Sequence, residues 1–369
     1  MISKSIFYGD NLRIARLMSG LSLNELGERV GTTRQYIHQL ETSDKKIPTD
    51  DLLNALSFEL SVDKEFFTSS LGNQVKEEEC HFRKLKTTLV SARRECTAWA
   101  TMLNRLVELL DVYLDLPGID FPQIDTKSIA DAEKAAATCR AHWQLGDGPI
   151  KSMVRVLENA GAIVSSFGEI SEKVDALSLH RSRPIVLINP SKSAPRTRMD
   201  LAHETGHIVM HAGLETGDPE TEAQADYFAS EFLLPKHILF KEYERNKSRI
   251  DWNSVKNLKI KWGVSCKSIV YRLNQLEIIT PSQYRTANIH LSKTGQTHTE
   301  WYDECVPLEK PELILTCLEL LGNAYGNGLG GLIDRMNITK KMLSTLVQNE
   351  FILSFPDAEN VISINQFRK

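Results

Sequence analysis

The chain has no stretch of residues long and apolar enough to span a bilayer. Its first ten residues, Met1 to Asp10, hold no basic segment followed by an apolar core, so neither a membrane anchor nor an export signal is expected. Cysteine is sparse and scattered: six residues (Cys80, Cys96, Cys139, Cys266, Cys305 and Cys317) without a C-x-x-C pair. That pattern argues against a disulfide framework and a zinc ribbon, and for reduced, mostly buried thiols in a cytoplasmic protein. The glycine cluster Gly326-Asn327-Gly328-Leu329-Gly330-Gly331 has no following G-K-[ST] and is not a phosphate loop. No strong charge of either sign is present, the net value being −4, which excludes a protein that coats nucleic acid wholesale but leaves room for one local DNA-binding module. With 41% hydrophobic and 25% charged residues, the 369-residue chain has an ordinary globular composition and the length of two or three domains.

What is present centres on residues 199–235. Leu201-Ala202-His203-Glu204-Thr205-Gly206-His207-Ile208 carries H-E-x-x-H within an apolar, helix-like run. On a helix His203 and His207 project from one face and can share one Zn²⁺, while Glu204 stands beside the metal as a general base must. A second amphipathic helix is expected over Thr221–Leu234, with Ala225, Phe228, Ala229, Phe232 and Leu233 as its apolar stripe and Pro235 as its stop. Glu222 and Asp226, four apart, share a face. Glu222 can supply a third metal ligand, and Asp226 can accept the outer N–H of a ligand histidine. Three protein ligands and an open position describe a catalytic zinc site, one ion per chain, whereas a structural site is closed. Gly206 inside a helix predicts a close approach by another element.

HETGHIVMH followed by EAQADYFASEFLLP resembles the ImmA/IrrE family of zinc metallopeptidases. The resemblance places Glu222 on that family's third metal ligand and implies a narrow, gluzincin-like zinc endopeptidase acting on a partner repressor or antitoxin of the helix-turn-helix type. Stress responses, mobile elements and toxin–antitoxin modules are the settings it implies. His211, one turn beyond His207, reads as a structural histidine, and Arg196 and Arg198 as packing or salt-bridge residues ahead of the zinc helix.

The N-terminal segment from about Asp10 to Phe67 reads as five short helices. Ser22 and Glu25 form a capping box, Gly31 makes a turn, and Thr32 or Thr33 caps the next helix, Arg34–Glu41. Helix, glycine turn, helix is the helix-turn-helix arrangement. The segment resembles the phage-repressor-type (XRE) family through LSLNELGERVGTTRQYIHQLE and LLNALSFELSVDKEFF. Carried over by position, Thr33, Arg34, Gln35, His38 and Gln39 are the expected contacts with a DNA operator. Acidic residues crowd the second half of this segment, so a single copy should bind DNA weakly, and a homodimer is expected.

A long helix is expected from Glu77 to about Asp115, and a small antiparallel sheet from Ala162–Phe167, Val174–Leu179 and Ile185–Ile188. Ile185–Asn189 or its neighbour is the strand expected to pair with an extended substrate. The fold class is therefore mostly α with a small antiparallel β-sheet, an α+β zincin-like core joined to an all-α helix-turn-helix domain. The expected divisions are 1–71 (helix-turn-helix), 72–122 (helical linker or dimerisation segment), 123–245 (peptidase core), 246–285 (a helix-turn-helix-like segment) and 286–369 (a C-terminal helical subdomain). Two functions compete: a DNA-binding regulator that cleaves a partner protein, and a transcriptional regulator or toxin–antitoxin component whose metal site is structural or sensory. The second has no need of Glu204.

Overall fold

A computed structural model of the protein describes residues 6–43, 46–82, 90–168, 176–214, 216–243, 249–323 and 328–355. Its N-terminal part follows the local signals. Helix α1 (Gly9–Met18) is followed by α2 (Leu23–Arg29), where Ser22 Oγ accepts from Glu25 N at 3.2 Å while Glu25 accepts from Ser22 N at 2.8 Å. Gly31, at φ +68°, turns the chain, and Thr33 caps α3 (Arg34–Thr42) by accepting from Tyr36 N at 3.2 Å. Thr49 caps α4 (Asp50–Leu60) in the same way. Leu12, Leu26, Ile37, Leu40, Leu56 and Leu60 are fully buried between these helices. The expected fifth helix is a single 3₁₀ turn, Lys64–Phe67, whose two phenylalanines close the core.

The next segment departs from expectation. The described part of helix α5 runs from Val90 to Tyr113, residues 83–89 of the expected helix lying outside the described residues; Cys80–Phe82 forms a strand, β1, preceded by a 3₁₀ turn at Glu77–Glu79. Apolar spacing alone suits a helix here, but the backbone of Cys80–Phe82 pairs with a distant sheet edge, and no local pattern announces that partner. Helices α6 (Ile129–His142) and α7 (Met153–Asn159) lead into β2 (Ile163–Ser166), β3 (Ala176–His180) and β4 (Pro184–Ile188). Of the expected Val174–Leu179 run, Val174 and Asp175 lie outside the described residues.

The sheet has the order β1-β3-β4-β2. β3 pairs antiparallel with both β1 and β4, but β2 pairs parallel with β4, so the sheet is mixed and not wholly antiparallel. The reason lies in the connections: a tight turn at Arg181–Arg183 makes β3 and β4 a hairpin, whereas the longer path from β2 to β3 lets β2 dock on the far side of β4. β4 is thereby interior and buried along its whole length, so of the expected edge, Ile185–Asn189 or its neighbour, Ile185–Asn189 is ruled out; its neighbour β3 is itself flanked by β1, and its neighbour β2 stands at the edge.

Beneath the sheet runs α8 (Ala194–Met210), buried at every residue except Arg196 and Met199. It starts early enough to include Arg196 and Arg198, and Arg198 anchors its first turn. The Arg198 guanidinium donates to Gly263 O (3.1 Å) and Ile150 O (2.7 Å) and pairs with the buried Glu309 carboxylate, which also accepts from Val154 N at 2.8 Å. Helix α9 (Pro219–Leu233) packs along α8, capped by Asp218, and continues through Pro235 into α10 (Lys236–Glu242). Then come α11 (Trp252–Trp262), a turn at Gly263, α12 (Cys266–Gln275) and α13 (Pro281–Lys293).

The last helices, α14 (Leu313–Asn323), α15 (Gly328–Met336) and α16 (Lys340–Val347), return to the start of the chain. Leu318, Leu332 and Leu343 join one hydrophobic core with Leu103 and Leu106 of α5 and Phe66 of the N-terminal domain. Val62 and Ile338 form a β-bridge, with Asp63 N donating to Asn337 O (3.0 Å) and Thr339 N to Ser61 O (3.1 Å). A second core gathers α6 to α13 around α8 and α9. No helix among the described residues is long and apolar enough to cross a membrane.

Arg198→Ala removes one half of a desolvated ion pair and leaves Glu309 buried without its cation. Stability should fall by about 3–5 kcal/mol in denaturant unfolding; a loss under 1 kcal/mol would show that this anchor is not what holds α8.

Candidate metal centre

The helical spacing does what it promises. His203 Nε2 and His207 Nε2 lie 3.1 Å apart, and Glu222 Oε2 and Oε1 lie 3.5 Å and 3.4 Å from them respectively. A tetrahedral zinc with arms of ~2.0–2.1 Å needs donors about 3.3 Å apart, so these separations suit one ion. Among the described residues His203, His207 and Glu222 form a group able to hold a metal. Glu222 reaches them because α9 lies close to α8: a Cβ built on Gly206 would meet the Phe228 ring at 3.1 Å and Ala225 Cα at 3.4 Å.

The outer hydrogen bonds fix which nitrogen faces inward. Asp226 Oδ1 lies 2.9 Å from His203 Nδ1, which makes that nitrogen the donor and leaves the Nε2 lone pair toward Glu222. Behind His207 stands His211, with the two Nδ1 atoms 2.9 Å apart and His211 Nε2 2.8 Å from Gln224 Oε1. With His211 donating to Gln224, His207 Nδ1 must donate to His211, and its Nε2 lone pair also turns inward. Two imidazole lone pairs and a carboxylate then converge in a buried space, an arrangement that repels itself unless a cation is shared. The donor set fits a divalent zinc. Burial pushes the His207 imidazole down to about 3, which keeps it neutral as a ligand must be.

Glu204 is fully buried beside this group, and burial pushes its carboxyl up to about 7 despite the opposing pull of His203. Its Oε2 accepts from Ser178 Oγ of β3, and its Oε1 has no hydrogen-bond partner among the described residues. Sequence reasoning missed Ser178 and Gln224. A polar residue between Leu177 and Leu179 on a buried strand was the available signal for the first. A cavity of about 400 Å³ lined in part by Met199, Asp226, Tyr271 and Tyr284 borders the site.

On the N-terminal domain, Thr33, Arg34, Gln35 and His38 are exposed and Gln39 is partly so. They lie at the start and along the outward side of α3, whose inward side is Ile37 and Leu40. The Thr33 hydroxyl is already engaged in capping, and Gln39 is hydrogen-bonded to Lys46.

Residues 165–274 match the model of the IrrE N-terminal-like domain, a peptidase family, and residues 12–66 match a helix-turn-helix model. The chain carries an IrrE N-terminal-like peptidase domain behind a helix-turn-helix domain of the XRE type. The peptidase match spans β3, β4 and all three converging donors, and the helix-turn-helix match spans α3. No curated protein matches the chain.

Removing a ligand should empty the site: His203→Ala and Glu222→Ala should each purify with far less than one zinc per chain by elemental analysis. Asp226→Asn keeps the ligands but loses the carboxylate that fixes His203, and should weaken zinc by about 10–100-fold in a chelator competition. Unchanged affinity would remove Asp226 from the centre.

Proposed function

We propose that this protein is a DNA-binding regulator with a zinc endopeptidase centre that cleaves a partner repressor or antitoxin. The single observation that carries the reading is Glu204, buried beside the three donors with one carboxylate oxygen held by Ser178 and the other without a hydrogen-bond partner among the described residues. A structural or sensory metal site has no use for such a group.

His203, His207 and Glu222 would hold the ion, with Asp226 and His211 keeping both imidazoles in the ligating tautomer. Bound zinc supplies Lewis acidity toward a scissile carbonyl and brings the pKa of coordinated water toward ~7. Glu204 takes a proton from the attacking water and returns it to the leaving amine, while Ser178 holds the carboxylate in line. β3, which carries Ser178, would pair with an extended substrate on the side that β1 covers in this fold.

Thr33, Arg34, Gln35, His38 and Gln39 form the DNA-reading side of α3, Arg34 toward guanine and Gln35 toward adenine. The protein works as a homodimer in the cytoplasm, where two such helices offset the weak affinity of one acidic domain. The divisions are 1–71 for DNA, 72–122 for the linker and 123–245 for the peptidase core. The helical segment from 246 is best closed after α13, which runs through residue 285.

Glu204→Gln should bind zinc as the wild type does and lose at least about 10²-fold in cleavage of a helix-turn-helix protein encoded beside this one. If it cleaves as fast as wild type, the peptidase reading fails. Arg34→Ala should weaken operator binding by about 1–3 kcal/mol in fluorescence anisotropy, and operator binding that is the same before and after the change would leave α3 without a reading role.

A further inference from the structure

Extended peptides add to sheets strand by strand, and the strand that touches the metal centre here is β3. Its inner side is taken by β4, and Ser178 at its midpoint holds Glu204. The outer side is occupied by β1, a three-residue strand nearly a hundred residues earlier in the chain. The register is antiparallel and sets Cys80 opposite Leu179, His81 opposite Ser178 and Phe82 opposite Leu177. The backbone of the linker thus crosses β3 at the residue that positions the catalytic carboxylate.

What holds the linker there is specific. Arg181, just past the end of β3, donates to Asn73 O (2.7 Å), Gln74 O (2.8 Å) and Glu79 Oε2 (2.7 Å). Two carbonyls and one carboxylate on a single, largely buried guanidinium read a chain that arrives from one direction with an acidic side chain at one position. Three residues of pairing make a weak strand on their own, so this latch supplies much of the hold.

We propose that the outer edge of β3 together with Arg181 is the peptide-recognition site of the metal centre. It takes an extended acidic segment, a glutamate followed directly by a short β run, and β1 with Glu79 is the chain's own resident copy of such a segment. This rests on the peptidase reading above and names the substrate class for it. Because β1 lies in the linker that leaves the helix-turn-helix domain, the competing segment is of the same kind: an acidic linker of a second protein, which must displace β1 to reach the site.

The test uses the full chain carrying Glu204→Gln, so that binding is read without hydrolysis, and a fluorescein-labelled synthetic peptide with the sequence of residues 73–82. Glu79→Ala in the protein frees the resident strand and keeps Arg181; it should raise peptide affinity about tenfold by anisotropy and increase hydrogen exchange at Leu177–Leu179. Adding Arg181→Ala should remove that gain, and a peptide with alanine in place of its Glu79 should bind about tenfold more weakly. His81→Pro/Phe82→Pro is a second release, since one of two successive strand amides faces the partner and both are lost. Peptide affinity that is unchanged in both released proteins, or indifferent to Arg181 and to the peptide's glutamate, overturns the proposal. Peptide binding without cleavage by the Glu204 protein would count against the peptidase reading alone. Cleavage of a partner without this binding would count against the recognition site alone.

Discussion

A helix buried on every side can carry ionisable groups only if each finds a partner within the fold. α8 is such a helix, and it carries Asp200, His203, Glu204 and His207. Much of the surrounding structure answers that demand. Lys192 pairs with Asp200 at 2.5 Å, Ser178 of β3 meets Glu204, and α9 brings Glu222, Gln224 and Asp226 to the histidines. Gly206 suits that packing, because even a Cβ there would meet the Phe228 ring at 3.1 Å and oblige α9 to give by a few tenths of an ångström. Arg198 and Glu309 perform the same service at the first turn, where the helix enters the core.

The two ends of the molecule are joined by the same economy of burial. The apolar sides of α1 to α5 do not close on themselves; α14 to α16 complete them, so the helices from Leu313 onward belong structurally to the beginning of the chain. The outward residues of α3 stay clear of that seam, which runs through Val62 and Ile338. α3 and the His203–His207–Glu222 group are therefore held by neighbouring parts of one packed body, with α5 and the sheet between them.

What could be read from the letters was local. HETGHIV and EAQAD encode a helical spacing, and helical spacing determines which side chains share a face; Ser22/Glu25 and Thr33 encode caps that form within three residues of themselves. What escaped was pairing at a distance. Cys80–Phe82 has nothing in its own sequence to say that Leu177–Leu179 awaits it, and the parallel partnership of β2 with β4 depends on a crossover, not on alternation. Ser178 and Gln224 are ordinary polar residues until tertiary packing sets them against Glu204 and His211. The interior position of β4 likewise follows from its neighbours, since a run of Pro-Ile-Val-Leu-Ile suits a central strand as well as a covered edge.

The bridge between Val62 and Ile338 has a consequence for how the protein is made. Chains emerge from the ribosome N-terminus first, and domains commonly fold as they appear. Here the surface left open beside Val62 and Phe66 waits for α15 and α16, nearly the whole length of the polypeptide away. At a synthesis rate of about 5–20 residues per second, that apolar flank stays uncovered for roughly 15–60 s. The helix-turn-helix domain thus gains its last covering surface only in molecules whose final helices have been translated.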